Sequence, residues 1–180
     1  MGYIPKFIHL DRFISIRYPF GVYWKDEYIK QSARAIYNTY QNDIFDGYTI
    51  IFVARGTSGA MIAGAMLNEL KHIESSIEIC ILIVRKDGES AHSSSLQGVD
   101  EIGLSKIIVV DDFIDSGDTI NAILQRLDSK LNSIFPKYDM LCVSNYLDAK
   151  ALKKNSCDKY RKWKSICSRF EYVVCCPKPD

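Results

Sequence analysis

The chain has 180 residues, a formal net charge of +1 and an apolar content of 47%. That balance suits one domain with a single core, excludes a disordered acidic protein and disfavours a strongly basic nucleic-acid binder. No apolar run approaches a membrane span, and the start of the chain, MGYIPKFIHLDRF, lacks a basic stretch followed by a long apolar one, so a cytoplasmic location without a membrane partner is expected.

Residues 1–24 are aromatic and irregular, with Pro5 and Pro19 as breakers. From residue 26 to about residue 41 the spacing of Tyr28, Ile29, Ala33, Ile36 and Tyr37 predicts a helix. A turn is expected over 42–47. The run TIIFVA (49–54) predicts a short buried strand, followed by a loop, Arg55-Gly56-Thr57-Ser58-Gly59, and a helix over 60–72. Residues 77–84 (IEICILIV) form a second strand candidate. The stretch 85–105 is polar, holds Gly88, Gly98, Gly103 and three consecutive serines, and shows little periodicity. Connections in compact domains have a median of roughly 4–6 residues, so a loop this long reads as a lid or binding loop. A third strand is expected over 106–110, a helix over 118–133, a fourth strand over 140–145 and a fifth over 170–176. Residues 148–169 are basic and mixed.

Strands alternate with helices, and the strands are continuous apolar runs. Both features predict an α/β fold, an open parallel sheet with helices on both faces. In such sheets ligands sit at the carboxyl ends of the strands. The loops 55–59, 85–105 and 111–118 all follow strand ends and therefore share one rim. Six cysteines include no C-x-x-C pair, and His9, His72 and His92 are scattered, so a structural zinc is not expected. Cys80 and Cys142 fall in apolar runs and read as buried small hydrophobes.

The most specific stretch is IIVVDDFIDSGDT, residues 107–119. Four β-branched residues lead into adjacent carboxylates, Asp111 and Asp112. Then comes a short polar loop with Gly117 between Ser116 and Thr119, and then a helix start. Paired acids accept hydrogen bonds from sugar hydroxyls, and a glycine loop at a helix start presents N–H groups to a phosphate. A solvated turn is the plain alternative for the acids, and simple helix capping by Ser116 or Asp118 is the alternative for the loop.

This stretch resembles the phosphoribosyl-pyrophosphate (PRPP) signature of type I phosphoribosyltransferases. Residues 50–70, IIFVARGTSGAMIAGAMLNEL, are similar to that family's pyrophosphate-binding strand, loop and helix. The 85–105 loop sits where the family carries its flexible lid. The resemblance covers about residues 48–145 and implies one domain over 1–180, with that stretch as core and a small hood from about 1–24 and 146–180.

The resemblance implies the following roles. Asp111 and Asp112 contact the ribose hydroxyls and hold Mg²⁺. Asp115, Ser116, Gly117, Asp118 and Thr119 surround the 5′-phosphate. Arg55, Gly56, Thr57 and Ser58 receive the pyrophosphate, joined by Arg85 and Lys86 from the lid. Asp115 matches an aspartate that members acting on 6-oxopurines place near purine N7, where it serves as general acid or base; an Asx-type turn is its alternative. Lys86 and His92 are lid candidates for neutralising and protonating the departing pyrophosphate. Glu89-Ser90 stands where orotate enzymes carry a second lysine, and His92 falls one residue late. Tyr146, Trp163, Phe170 and Tyr172 are stacking candidates for the base, with a place in the core as the alternative. The basic segment 150–164 reads as a solvated face, with nucleic-acid binding a less favoured role.

The implied function is Mg²⁺-dependent transfer of phosphoribose from PRPP to a nitrogenous, purine-like base, with release of pyrophosphate, as in purine salvage. A homodimer is compatible with it. The alternative is a PRPP- or nucleotide-sensing regulatory module on the same fold.

Overall fold

The computed structural model describes residues 6–10, 26–85, 105–111, 117–131, 138–142, 161 and 164–175. The elements run β1 (Lys6–His9), α1 (Asp26–Phe45), β2 (Thr49–Arg55), α2 (Gly56–Ile73), β3 (Ile79–Val84), β4 (Ser105–Asp111), α3 (Asp118–Leu131), β5 (Tyr138–Cys142) and β6 (Phe170–Cys175). Six strands form one sheet in the order β1-β6-β5-β4-β2-β3, and every neighbouring pair is parallel. None of the described helices is long and apolar enough to cross a membrane.

Alternation along the strands sorts the core into two layers. Ile50, Phe52, Ala54, Ile108 and Val110 face α1 and α2, which bury Ile29, Ala33, Ile36, Tyr40 and Ile44 from the first helix and Ile62, Ala63, Met66 and Leu70 from the second. Ile51, Val53, Ile107 and Val109 face the other way, onto Ile120, Ile123, Leu124 and Leu127 of α3 and onto Ile166 and Cys167. Each helix buries residues three and four apart, as a helix must when one stripe meets a sheet. The central strands β2 and β4 are covered on both sides, which is why their sequences are apolar without alternation.

Several expectations shift. Residues 1–24 contribute β1, which pairs along its whole length with β6; four residues are too few for a period to show, and pairing holds them. The first helix runs past residue 41 to Phe45. It ends at Gly47 (φ 84), whose N–H donates to the Ile44 carbonyl at 3.0 Å, while Tyr48 N–H donates to that of Asp43 at 3.0 Å. This is a paired C-terminal closure that needs a left-handed residue. The second helix begins four residues early, at Gly56. Cys80 is exposed rather than buried: it lies near the start of β3, a sheet edge, while Leu82 and Val84 further along the same face are buried. Phe170 is fully buried in the α3 layer, so it is a core residue and not a stacking position; Tyr172 is half-buried and packs edge-on against Tyr40 with ring centroids 5.9 Å apart. Tyr146, Trp163 and Cys142's side chain lie outside the described residues.

Candidate functional site

The chain order reverses direction at β2. From β2 it steps outward to β3, then crosses to β4 on the opposite flank. The carboxyl ends of β2 and β4 therefore border the crevice where open parallel sheets bind ligands. The register aligns Ala54 with Val110, so Arg55 and Asp111 each stand one residue further on, on neighbouring strands about 5 Å apart. Arg55 is in turn level with Val84, which precedes Arg85.

The expected loop 55–59 is a strand end joined directly to a helix. Arg55 keeps extended backbone (φ −132°, ψ 130°) and occupies the N-cap position without a side-chain cap bond. Gly56 turns the chain with φ 80°, a conformation that a side chain would strain. Thr57 is exposed, Ser58 half-buried and Gly59 buried. The first turn of α2 carries no acidic residue. Its N–H groups thus have no side-chain cap from Arg55 and no first-turn carboxylate, and they carry the positive end of the helix dipole. Beside them, Arg55 Nε is sealed from solvent and has no hydrogen-bond partner among the described residues. An anion is the ligand that such a start accommodates.

The end of β4 also leads to a left-handed glycine and a helix start, here with an acidic residue, Asp118, in the first turn. Asp111 closes the strand and is 5% exposed. Residues 112–116, which include Asp112, Asp115 and Ser116, lie outside the described residues. The chain re-enters at Gly117, again left-handed (φ 79°), and the Asn121 N–H donates to the Gly117 carbonyl at 2.9 Å as α3 begins. Asp118 is exposed and Thr119 half-buried. Two left-handed glycines at helix starts, Gly56 and Gly117, therefore accompany a buried carboxylate. Of the sequence candidates, Arg55, Gly56, Thr57, Ser58, Arg85, Asp111, Gly117, Asp118 and Thr119 share this rim. Lys86 and His92 lie outside the described residues.

One buried titratable cluster escaped the sequence. Asp139, the second residue of β5, is 6% exposed and sits level with Ile108, about 10 Å back from the rim. Two residues of β6 oppose it at a bulge, where the Tyr172 N–H hydrogen-bonds its carboxyl. Burial raises its pKa from 3.8 to about 7. The Tyr40 hydroxyl is its neighbour, though that hydroxyl and Asp139 Oδ1 lack well-formed hydrogen bonds; burial, then Asp139, pushes the Tyr40 pKa up. Lys106 also favours the ionised acid, but it is held by Asp43 at 3.1 Å and lies over the rings of Tyr40 and Tyr48. The only sequence signal was an aspartate inside an apolar run, YDMLC.

Residues 25–134 match the family model of the phosphoribosyl transferase domain. Among solved structures, the chain is similar to a hypoxanthine phosphoribosyltransferase from Staphylococcus aureus, with 16% identity and a TM-score of 0.45 over 69% of this chain and 66% of that one. A hypoxanthine-guanine phosphoribosyltransferase from Schistosoma mansoni in complex with IMP gives 16% identity and a TM-score of 0.46 over 84% and 64%. A mutant hypoxanthine phosphoribosyltransferase from Trypanosoma cruzi, complexed with the product IMP, gives 13% identity and a TM-score of 0.52 over 92% and 76%. The chain spans just under two thirds of the first two of these. At such identities the likeness is one of fold. No curated protein matches the chain in sequence.

Proposed function

The chain belongs to the phosphoribosyl transferase domain family, and on that premise we propose that it transfers phosphoribose from PRPP to a purine-like base and releases pyrophosphate. The observation that carries this is the acid-free start of α2 beside Asp111, with a second glycine-led helix start at Gly117 beyond that carboxylate. PRPP has the matching layout, a pyrophosphate and a 5′-phosphate at opposite ends of a ribose.

In this reading Arg55 and the first-turn N–H groups of α2 (Gly56, Thr57, Ser58) receive the pyrophosphate. Asp111 and Asp112 accept hydrogen bonds from the ribose hydroxyls. Ser116, Gly117 and Thr119 hold the 5′-phosphate, with Asp118 directed to solvent. The bond between the anomeric carbon and the pyrophosphate oxygen breaks as a bond to the base nitrogen forms. Positive charge grows on the sugar, and the nearby carboxylates stabilise it. Asp115 takes or shares the proton of the base nitrogen, which favours a 6-oxopurine, the base class of the IMP in the T. cruzi structure. Arg85 and Lys86 offset the charge of the leaving pyrophosphate, and His92 protonates it. Carboxylate oxygens are the hard donors that Mg²⁺ selects, so Asp111 and Asp112 fit that ion, which when bound would neutralise pyrophosphate charge. The hood drawn from the chain ends and a homodimer belong to the same proposal.

Glu89-Ser90, in place of a lid lysine, favours a second reading: a module that binds PRPP or a nucleotide and turns it over little. Mixing the protein with Mg-PRPP and a pool of nucleobases, with products read by mass spectrometry, separates the two. A purine nucleotide and pyrophosphate are expected. PRPP binding without any product would establish the sensing module instead, and absence of PRPP binding would end both.

A further inference from the structure

The start of α2 and the carboxylate end of β4 must stand at a set distance if one ligand is to span them. Gly59 lies where that distance is decided. A Cβ at this position would come 3.1 Å from Ala54 Cβ and 3.1 Å from the Val110 carbonyl oxygen. Both contacts are tighter than ordinary van der Waals approach. Neither partner can move aside, because Ala54 and Val110 are fully buried and belong to the two central strands. The rest of α2 is pinned by Ile62, Ala63, Met66 and Leu70, all at most 1% exposed. Crowding at 59 would therefore tilt the start of α2 off the sheet by a few tenths of an ångström and leave its remainder in place.

We infer that Gly59 is a positioning residue that sets the span between the anion site at the start of α2 and the carboxylate end of β4. The inference rests on the reading of the rim as a PRPP site. Gly59 touches no ligand in it. It acts by letting the α2 backbone lie directly on the junction of β2 and β4, as glycines do where a helix packs closely on a strand. A bridging ligand feels an error in the span, whereas a ligand filling one half does not, because the second contact is made at an effective concentration set by geometry.

Gly64 of the same helix supplies the control. It is exposed, and a Cβ there meets nothing within 4 Å. Gly59→Ala and Gly64→Ala gain the same helix propensity, so they differ only in crowding. Calorimetry would give the affinities of wild type and both variants for Mg-PRPP, for Mg-pyrophosphate and for ribose 5-phosphate. Gly59→Ala should weaken PRPP about tenfold and leave the two half-ligands within about twofold, while Gly64→Ala changes none. Ala54→Gly combined with Gly59→Ala removes one of the two crowded contacts and should recover part of the loss. Should Gly59→Ala alone fail to fold, the double variant carries the same comparison. Unchanged PRPP affinity in Gly59→Ala would overturn the inference, as would an equal loss for pyrophosphate alone. Wild-type protein that binds no PRPP would overturn the underlying site assignment instead, and so is a distinguishable failure.

Discussion

Single residues carry the charges that matter here, and burial decides what each does. Burial raises the Asp139 pKa to about 7, because its carboxyl is enclosed among α1, β4 and β6, and Tyr40, Lys106, Glu171 and Tyr172 are the groups that face it. Between its ordinary pKa of 3.8 and its folded value of about 7, the unfolded chain has lost a proton that the folded chain keeps. Its contribution is therefore fully present below about pH 4 and is lost as pH rises toward 7. Asp139→Asn should flatten this slope and make the protein more stable than wild type at pH 8, on the order of 2 to 4 kcal/mol. Urea unfolding at pH 5 and pH 8 for both proteins checks it; parallel slopes would refute the assignment. At the rim, Asp111→Asn with Asp112→Asn should abolish PRPP binding by calorimetry. Retained affinity in that double variant would remove the acids from the site. Gly56 has open space around it, so Gly56→Ala meets only the cost of a left-handed backbone, about 1–2 kcal/mol, visible as a lowered melting temperature.

The elements show which contacts hold the site in place. The α3 helix opens at Gly117, and its position depends on Ile120, Ile123, Leu124 and Leu127, all fully buried. Leu124→Ala should cost about 2–5 kcal/mol in chemical denaturation, since a cavity forms between helix and sheet. The far half of α3 is tied more weakly. Arg169 Nη2 donates to both oxygens of Asp128 at 2.8 Å, and Tyr138 Oη donates to Asp128 Oδ1 at 3.3 Å. The ion pair is exposed on both sides, so Arg169→Ala should cost less than about 1 kcal/mol, and less still in high salt. A larger loss would mean that this tie orders residues 164–169, which lead into β6. Element types were legible because apolar spacing reports them directly. The start of α2 was not, because a helix that begins on a left-handed glycine directly after a strand has no loop residues to mark it.

For the whole molecule, the organising fact is the reversal of chain direction at β2, which puts Arg55, Arg85, Asp111 and Gly117 on one rim. The rim was foreseen from three polar stretches following strands. The far side of the sheet was only partly foreseen. Residues 170–175 read as a strand, but nothing in KFIH announced a partner for it, because β1 is defined by its register with β6 and not by any period of its own. The exposure of Cys80 has the same origin: an apolar strand reads alike in the centre and at the edge, and only pairing tells them apart.

The sequence by itself determined the alternation of strands and helices, the family, and the order acid pair, glycine, helix that marks the PRPP-like stretch. These are local in the chain, so spacing and residue type suffice for them. Tertiary structure alone decided the strand order, the closeness of α2 to β4 at Gly59, and the burial that raises the Asp139 pKa. Each of these depends on which distant segment lies alongside, and a one-dimensional pattern records the face an element must bury without recording what covers it.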